Sequence, residues 1–205
     1  MKIIEEILYK IFNCWTFRYW VMSPIRCYYS LCGKFLYRPF IKFAADYFKD
    51  KKVVGVEIGV FKGTFSRMLL RKLNIGRLYL IDPYFRYDGY KDDLGTENFS
   101  KLRATAHKKL SVFPNKMFIR TSSEEAAGLF KEGSLAFVYI DGNHNYEYVK
   151  KDIELYWSKV KKGGLIGGHD MDGSFLGVCR AVVEFANKKK VTIHGEQNEW
   201  WIIKT

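Results

Sequence analysis

Residues 53–70 read "VVGVEIGVFKGTFSRMLL", and two periods meet inside them. Up to Ile58 the segment is apolar and rich in β-branched residues, the pattern of a strand buried on both faces. From Thr64 onward, Phe65, Met68, Leu69 and Leu73 recur at helical spacing. The turn between carries Gly59 and Gly63, which let backbone approach a ligand closely. The helix that follows begins with N–H groups that have no partner within it.

The same alternation continues to the C-terminus. "RLYLIDPY" reads as a second strand and "ENFSKLRATAHKKLSVF" as a helix. "KMFIRTSS" is a third strand, "EEAAGLF" a short helix and "SLAFVYIDG" a fourth strand. "YEYVKKDIELYWSKV" is amphipathic, with Val149, Ile153 and Tyr156 or Trp157 inward, and "GGLIGGHD" is a fifth strand. "LGVCRAVVEFANK" is a helix, and "VTIHG" and "EWWIIKT" close the chain as two strands. The pattern predicts an α/β fold, a doubly wound, mostly parallel seven-stranded Rossmann-like sheet with an antiparallel C-terminal strand. Ligands of such sheets sit outside the carboxyl ends of the strands, where strand order switches.

The 205 residues allow one domain, or one domain with an appendage, split here as 1–48 and 49–205. With 48% hydrophobic and 27% charged residues the chain is globular rather than disordered. A formal charge of +12 suits anionic partners or a merely basic surface, and composition does not choose between them. Cys14, Cys27, Cys32 and Cys179 form no C-x-x-C pair and lie at no metal-ligand spacing from a histidine, which argues against a zinc or disulfide framework and makes a reducing cytoplasm the simpler inference. Glu5 and Glu6 interrupt any signal-peptide core, and no run approaches the roughly 18 apolar residues that span a bilayer. Residues 1–48 interleave aromatics with single Lys or Arg residues, broken by Pro24 and Pro39. They read as helices packed on the main domain, a substrate cap, a homo-oligomer contact, or a peripheral contact with the inner face of a membrane.

The glycine turn has the spacing E-x-G-x-x-x-G, through Glu57, Gly59 and Gly63. That is neither the dinucleotide G-x-G-x-x-G nor the phosphate-binding G-x-x-x-x-G-K-[ST]. The second strand ends at Asp82, where an acid can accept both hydroxyls of a ribose, the plainer alternative being a turn-forming Asp before Pro83. These residues carry a resemblance, covering about residue 50 to the C-terminus, to the class I S-adenosylmethionine-dependent methyltransferases. Their first motif resembles "VEIGVFKG", and their second strand ends in an acid as "LYLIDPY" does. The resemblance implies a hairpin strand inserted beside the fifth. It also implies that Glu57, Gly59 and Gly63 surround the methionine part of the cofactor and that Asp82 holds its ribose. Ser123 and Glu124 match the segment that lies along the adenine, with Ser122 as an alternative to Ser123.

Two strands end in both a carboxylate and an imidazole: Asp141 with His144 in "IDGNH", and His169 with Asp170 in "GGHD". Adjacent strands lie about 4.8 Å apart, so these groups can converge on one ion. Asp141, His169 and Asp170 suit the ligands of Mg²⁺ or Mn²⁺, and His144, with a free pKa near 6.5, suits a general base. The plainer alternatives are a helix cap for Asp141, a surface position for His144, a loop-stabilising role for His169 and a turn for Asp170. The run from Ile140 to Met171 is similar to that of a small-molecule subgroup that includes macrolide-sugar O-methyltransferases. That likeness implies metal binding by Asp141 and Asp170 and a base role for His144; Asp141 is also expected to take part in catalysis and to contact the cofactor. The chain departs from it at His169, where metal-dependent members carry an acid.

The expected function is O-methylation of a hydroxyl on a small molecule or saccharide, with S-adenosylmethionine and optionally Mg²⁺ or Mn²⁺. A nucleic-acid methyltransferase is the alternative raised by charge, but "DGNH" stands where adenine N6 enzymes carry (N/D)-P-P-(Y/F). A binding module at a membrane, without turnover, is a third. Tyr84, Phe85, Tyr87 and Tyr90 form an aromatic loop, either stacking on an acceptor ring or simply packed.

Overall fold

The computed structural model describes residues 38–85 and 98–205. Tyr87, Tyr90 and residues 1–37, with the cap, oligomer and membrane readings placed on them, lie outside the described residues. Among the described residues no helix is long and apolar enough to cross a membrane.

The elements run α1 (Pro39–Phe48), β1 (Val53–Ile58), α2 (Thr64–Lys72), β2 (Ile75–Ile81), α3 (Phe99–Leu110), β3 (Lys116–Ile119) and α4 (Ser123–Ala127). They continue with β4 (Leu135–Ile140), α5 (Tyr146–Lys159), β5 (Val160–Gly168), α6 (Leu176–Lys189), β6 (Ile193–Glu196) and β7 (Glu199–Ile203). The sheet has seven strands in the order β3-β2-β1-β4-β5-β7-β6. Pairing is parallel from β3 to β5, and β7 runs antiparallel to both β5 and β6. The mostly parallel doubly wound sheet and its inserted C-terminal hairpin strand are therefore as the sequence predicts.

β4 is buried at every position because it is central and covered on both faces. Phe137 and Tyr139 face a core shared with Phe40 and Phe48 of α1, Leu69 of α2 and Leu102 of α3. Val138 and Ile140 face the opposite core, with Ile153 and Tyr156 of α5 and Val182 and Phe185 of α6. β2 begins two residues earlier than its apolar run suggests, because Ile75 pairs with Val53 across a register shift in β1. β5 likewise starts at Val160, directly from α5, where it pairs with Leu135.

Candidate active site

A cavity of about 800 Å³ opens at the carboxyl ends of β1, β2 and β4. It includes the switch in strand order, since β1 continues to β2 on one side and pairs with β4 on the other. Its size is that of a cofactor or small-ligand site.

Gly59 makes this floor. Its φ is +85°, and a Cβ there would lie 1.9 Å from the carbonyl oxygen of Asp141 at the end of β4. Only glycine lets the turn after β1 pass so close to its neighbour. Gly63, with φ +68°, stands immediately before α2 and packs beside Ala106 and Leu110 of α3.

Asp82 fastens the turn from the next strand. Its Oδ2 accepts the N–H groups of Val60 at 3.0 Å and Phe61 at 2.9 Å, and its Oδ1 accepts that of Tyr84 at 2.8 Å. Burial pushes its pKa up, against these three donors. Tyr84 is buried, and its hydroxyl donates to the Phe61 carbonyl at 3.0 Å, so this aromatic packs the loop, whereas Phe85 is exposed.

Glu57 is 1% exposed, and its Oε2 has no hydrogen-bond partner among the described residues. Burial and the nearby Asp141 charge push its pKa up to about 8, more than the Ser66 hydroxyl and the Arg38 charge pull it down. A buried carboxylate oxygen left unpaired costs about 1–3 kcal/mol or more, so the position suits a cationic ligand group.

At the other end of the cavity, Ser122 caps α4 by accepting the Glu125 N–H. The Ser123 hydroxyl donates to Asp152 Oδ1 at 2.5 Å, and the Tyr156 hydroxyl donates to the Ser123 carbonyl at 2.8 Å. Burial raises the Asp152 pKa to about 7, against the Ser123 hydrogen bond. Glu124 also lines the cavity but is half exposed and pairs with Lys151 at 2.6 Å.

The two strand ends do converge. His144 Nε2 lies 2.8 Å from Asp170 Oδ2, and His169 Nδ1 lies 2.8 Å from Asp170 Oδ1. Asp141 Oδ1 is 3.9 Å from His169 Nδ1. Ligand atoms of Asp141, His144 and Asp170 all fall within 4.8 Å of one another. This trio contains His144, while His169, the ligand expected from the sequence, lies beside it on the other oxygen of Asp170. Asp170 has φ +60°, a backbone state that Asp tolerates better than most residues, and this turns its carboxylate back between the two rings. Burial would raise the Asp170 pKa, but both histidine hydrogen bonds hold it well below the usual range. Burial raises that of Asp141, with the His169 charge opposing.

A family model described as a methyltransferase domain matches residues 56–171, more than half of the chain. The chain belongs to this methyltransferase family. It is an S-adenosylmethionine-dependent methyltransferase, and the matched span runs from β1 through the end of β5, enclosing the whole floor of the cavity.

No curated protein sequence matches this methyltransferase. Solved structures share its fold at low identity. A protein from Streptococcus mutans, inferred to be a methyltransferase and solved with S-adenosylhomocysteine, has TM-score 0.60 and 13% identity, covering 83% of this chain and 100% of that one. A protein from Staphylococcus aureus, inferred to be a caffeoyl-CoA O-methyltransferase, has TM-score 0.60 and 13% identity over 90% and 92% of the two chains. An rRNA methylase from Streptococcus thermophilus has TM-score 0.55 and 15% identity over 83% and 98%.

Sequence reasoning missed Arg38, which lines the cavity from the start of α1, and Asp152, which lines it from α5. Asp152 had a signal: it shares the apolar face of α5 with Val149, Ile153 and Tyr156, and a charge among core positions has to be partnered. Arg38 had none, because its partners are more than a hundred residues away in the chain.

Proposed function

We propose that this methyltransferase moves the methyl group of S-adenosylmethionine to a hydroxyl oxygen of a small molecule or saccharide, with His144 as the base. The observation that carries the reading is the His144–Asp170 pair, 2.8 Å apart, beside Asp141, with His144 and Asp141 lining the cavity. The residues present suit the cofactor. The unpaired Glu57 oxygen meets an ammonium, the glycine turn leaves room for the methionine chain, Asp82 keeps acceptor capacity for a ribose hydroxyl, and Ser123 with Glu124 flanks the adenine. Bound there, S-adenosylmethionine supplies an electrophilic methyl on a sulfonium.

A neutral hydroxyl is a weak nucleophile, so its proton has to leave as the O–C bond forms. His144 takes that proton, and Asp170 stabilises the resulting imidazolium through the 2.8 Å contact. His169 holds Asp170 from its other oxygen and keeps the carboxylate ionised. The atoms balance: the hydroxyl loses a proton to His144 and gains the methyl, and the C–S bond electrons return to sulfur.

A second reading rests on the Asp141, His144 and Asp170 trio. Two carboxylates and one imidazole are a donor set that suits Mg²⁺ or Mn²⁺ with positions left for substrate oxygens. A divalent cation held there supplies Lewis acidity that lowers the pKa of the acceptor hydroxyl. His144 is then a ligand rather than the base. Chelation separates the two readings, since turnover by His144 alone survives EDTA and turnover through a cation does not.

The test is a transfer assay with methyl-labelled S-adenosylmethionine over hydroxylated small molecules, saccharides and RNA. Label in an ether of a small molecule or saccharide is the expected result. Label confined to RNA overturns the acceptor class. With the acceptor in hand, His144→Ala should lower kcat by about 10²–10⁴-fold while S-adenosylhomocysteine affinity stays within a few-fold. An unchanged kcat removes His144 from the mechanism.

Glu57 adds a pH signature. Its carboxyl is mainly protonated in the ligand-free protein at pH 7 and ionises when it receives an ammonium. Binding should therefore release up to one proton between about pH 6 and 8, seen as a titration enthalpy that varies with the ionisation enthalpy of the buffer. Glu57→Gln should abolish the variation. The sign for folding is opposite to that of a paired carboxylate. A raised pKa contributes stability that is present below about 4.5 and lost as pH rises through about 8.

A further inference from the structure

We propose that Arg38 is the anchor for the α-carboxylate of the cofactor's methionine moiety, an assignment that rests on the reading of the cavity as an S-adenosylmethionine site. Arg38 stands at the N-cap of α1, and its side chain, 17% exposed, lines the cavity. A guanidinium offers five N–H donors in one plane. Two are used: Nε donates to Glu199 Oε1 at 2.5 Å and Nη2 to the Tyr139 hydroxyl at 2.6 Å. The remaining N–H groups have no hydrogen-bond partner among the described residues.

The two bonds that are made fix the plane. Glu199 is 1% exposed and also accepts from the Tyr139 hydroxyl at 2.6 Å and the Phe40 N–H at 2.8 Å, so it has little freedom to follow a moving arginine. The guanidinium carbon lies 4.3 Å from the centroid of the Phe65 ring, which itself stacks on Tyr139 with centroids 4.0 Å apart. A group held on a carboxylate, a phenol and an aromatic face is preorganised, which suits planar, two-point recognition of a second carboxylate.

Its place along the cavity selects the ligand group. Tyr139 is the Cα partner of Glu57 in the β1–β4 register, so Arg38 is held beside the acid that suits the ammonium. Arg38 and Glu57 act on each other electrostatically at this end of the cavity, with Asp141 acting on both, and an arginine beside a buried acid matches the two charges of an amino acid. The other end presents Ser122, Ser123 and Asp152, and its one cation near Asp152, Lys151, is half exposed and paired with Glu124. A purely structural Arg38, tying α1 to β7, would need only the contacts to Glu199 and Tyr139.

Calorimetric titration of the full chain with three ligands tests the assignment. S-Adenosylhomocysteine carries both charges, its decarboxylated analogue S-adenosyl-3-thiopropylamine keeps only the amine, and 5′-methylthioadenosine has neither. The wild-type protein should bind S-adenosylhomocysteine roughly 10- to 100-fold tighter than the decarboxylated analogue, the span expected of a charge-assisted two-point contact. In Arg38→Gln that preference should fall to within about threefold, with 5′-methylthioadenosine bound as in the wild type, which reports an intact adenine end. Arg38→Lys, which keeps the charge but loses the fork, should be intermediate. Preference retained in Arg38→Gln overturns the assignment. So does a wild-type protein that binds S-adenosylhomocysteine and its decarboxylated analogue equally. If Arg38→Gln alters only the KM of an acidic acceptor, the anchor serves the acceptor and the assignment falls. Wild-type protein that binds none of the three ligands overturns the cofactor site itself, a failure distinct from that of Arg38.

Discussion

Gly59→Ala should lower the melting temperature by about 6–12 °C and abolish measurable S-adenosylhomocysteine binding. Two separate effects act at one Cβ. An alanine at φ +85° is in a region that costs a non-glycine residue about 1–2 kcal/mol. The methyl would also sit 1.9 Å from the Asp141 carbonyl oxygen, 2.4 Å from its carbon and 2.8 Å from the Gly142 nitrogen, all backbone of the adjoining strand end. Overpacking of this kind costs about 1–3 kcal/mol, and backbone cannot rotate away as a side chain can. About 3 kcal/mol in all converts to the stated shift at about 2–4 °C per kcal/mol for a chain of this size. Separating β1 from β4 also displaces Asp141 and reshapes the cavity floor, hence the loss of binding. Gly63→Ala is the control: its φ is also positive, but the nearest atom is the Leu110 side chain at 3.1 Å, which can give. Thermal melts and calorimetry check both variants, and a Gly59→Ala protein with wild-type melting and affinity would remove the close approach from the account.

Glu199→Ala should cost about 3–5 kcal/mol of folding stability, the range for removing one partner of a buried ion pair. Three donors lose their acceptor at once: Arg38 Nε, the Tyr139 hydroxyl and the Phe40 N–H. The Phe40 N–H lies in the first turn of α1, where no carbonyl of the helix can replace the carboxylate. The Arg38 guanidinium, 17% exposed, is left with its charge uncompensated. Combining Arg38→Met with Glu199→Leu should restore part of the loss, because removing both charges is far cheaper than orphaning one. Urea denaturation of the single and double variants measures the difference. A single variant within about 1 kcal/mol of wild type would show that the network contributes little to holding α1 on the sheet.

The framework of the site was legible because it is written in short range. The strand, glycine turn and helix of residues 53–70 are contiguous, and Asp82, Asp141 and Asp170 each follow an apolar run that announces a strand end. Strand order then brings those ends together without further information, since β1, β2, β4 and β5 are neighbours. What the sequence did not reveal is how the groups pair. Asp82 is engaged by the glycine turn, a contact decided by backbone geometry after β1. His144 and His169 divide the two oxygens of Asp170 because Asp170 adopts φ +60°, which no residue spacing encodes. Arg38 and Glu199 meet across almost the whole chain, and only the packing of α1 against β7 joins them.

Calorimetric titration of the intact wild-type protein with S-adenosylhomocysteine near pH 7, in two buffers of different ionisation enthalpy, bears most directly on the cofactor site. The account predicts single-site binding with an enthalpy that differs between the buffers, because Glu57 gives up its proton as the ammonium arrives. A folded protein that takes up no S-adenosylhomocysteine at saturating concentration would contradict it.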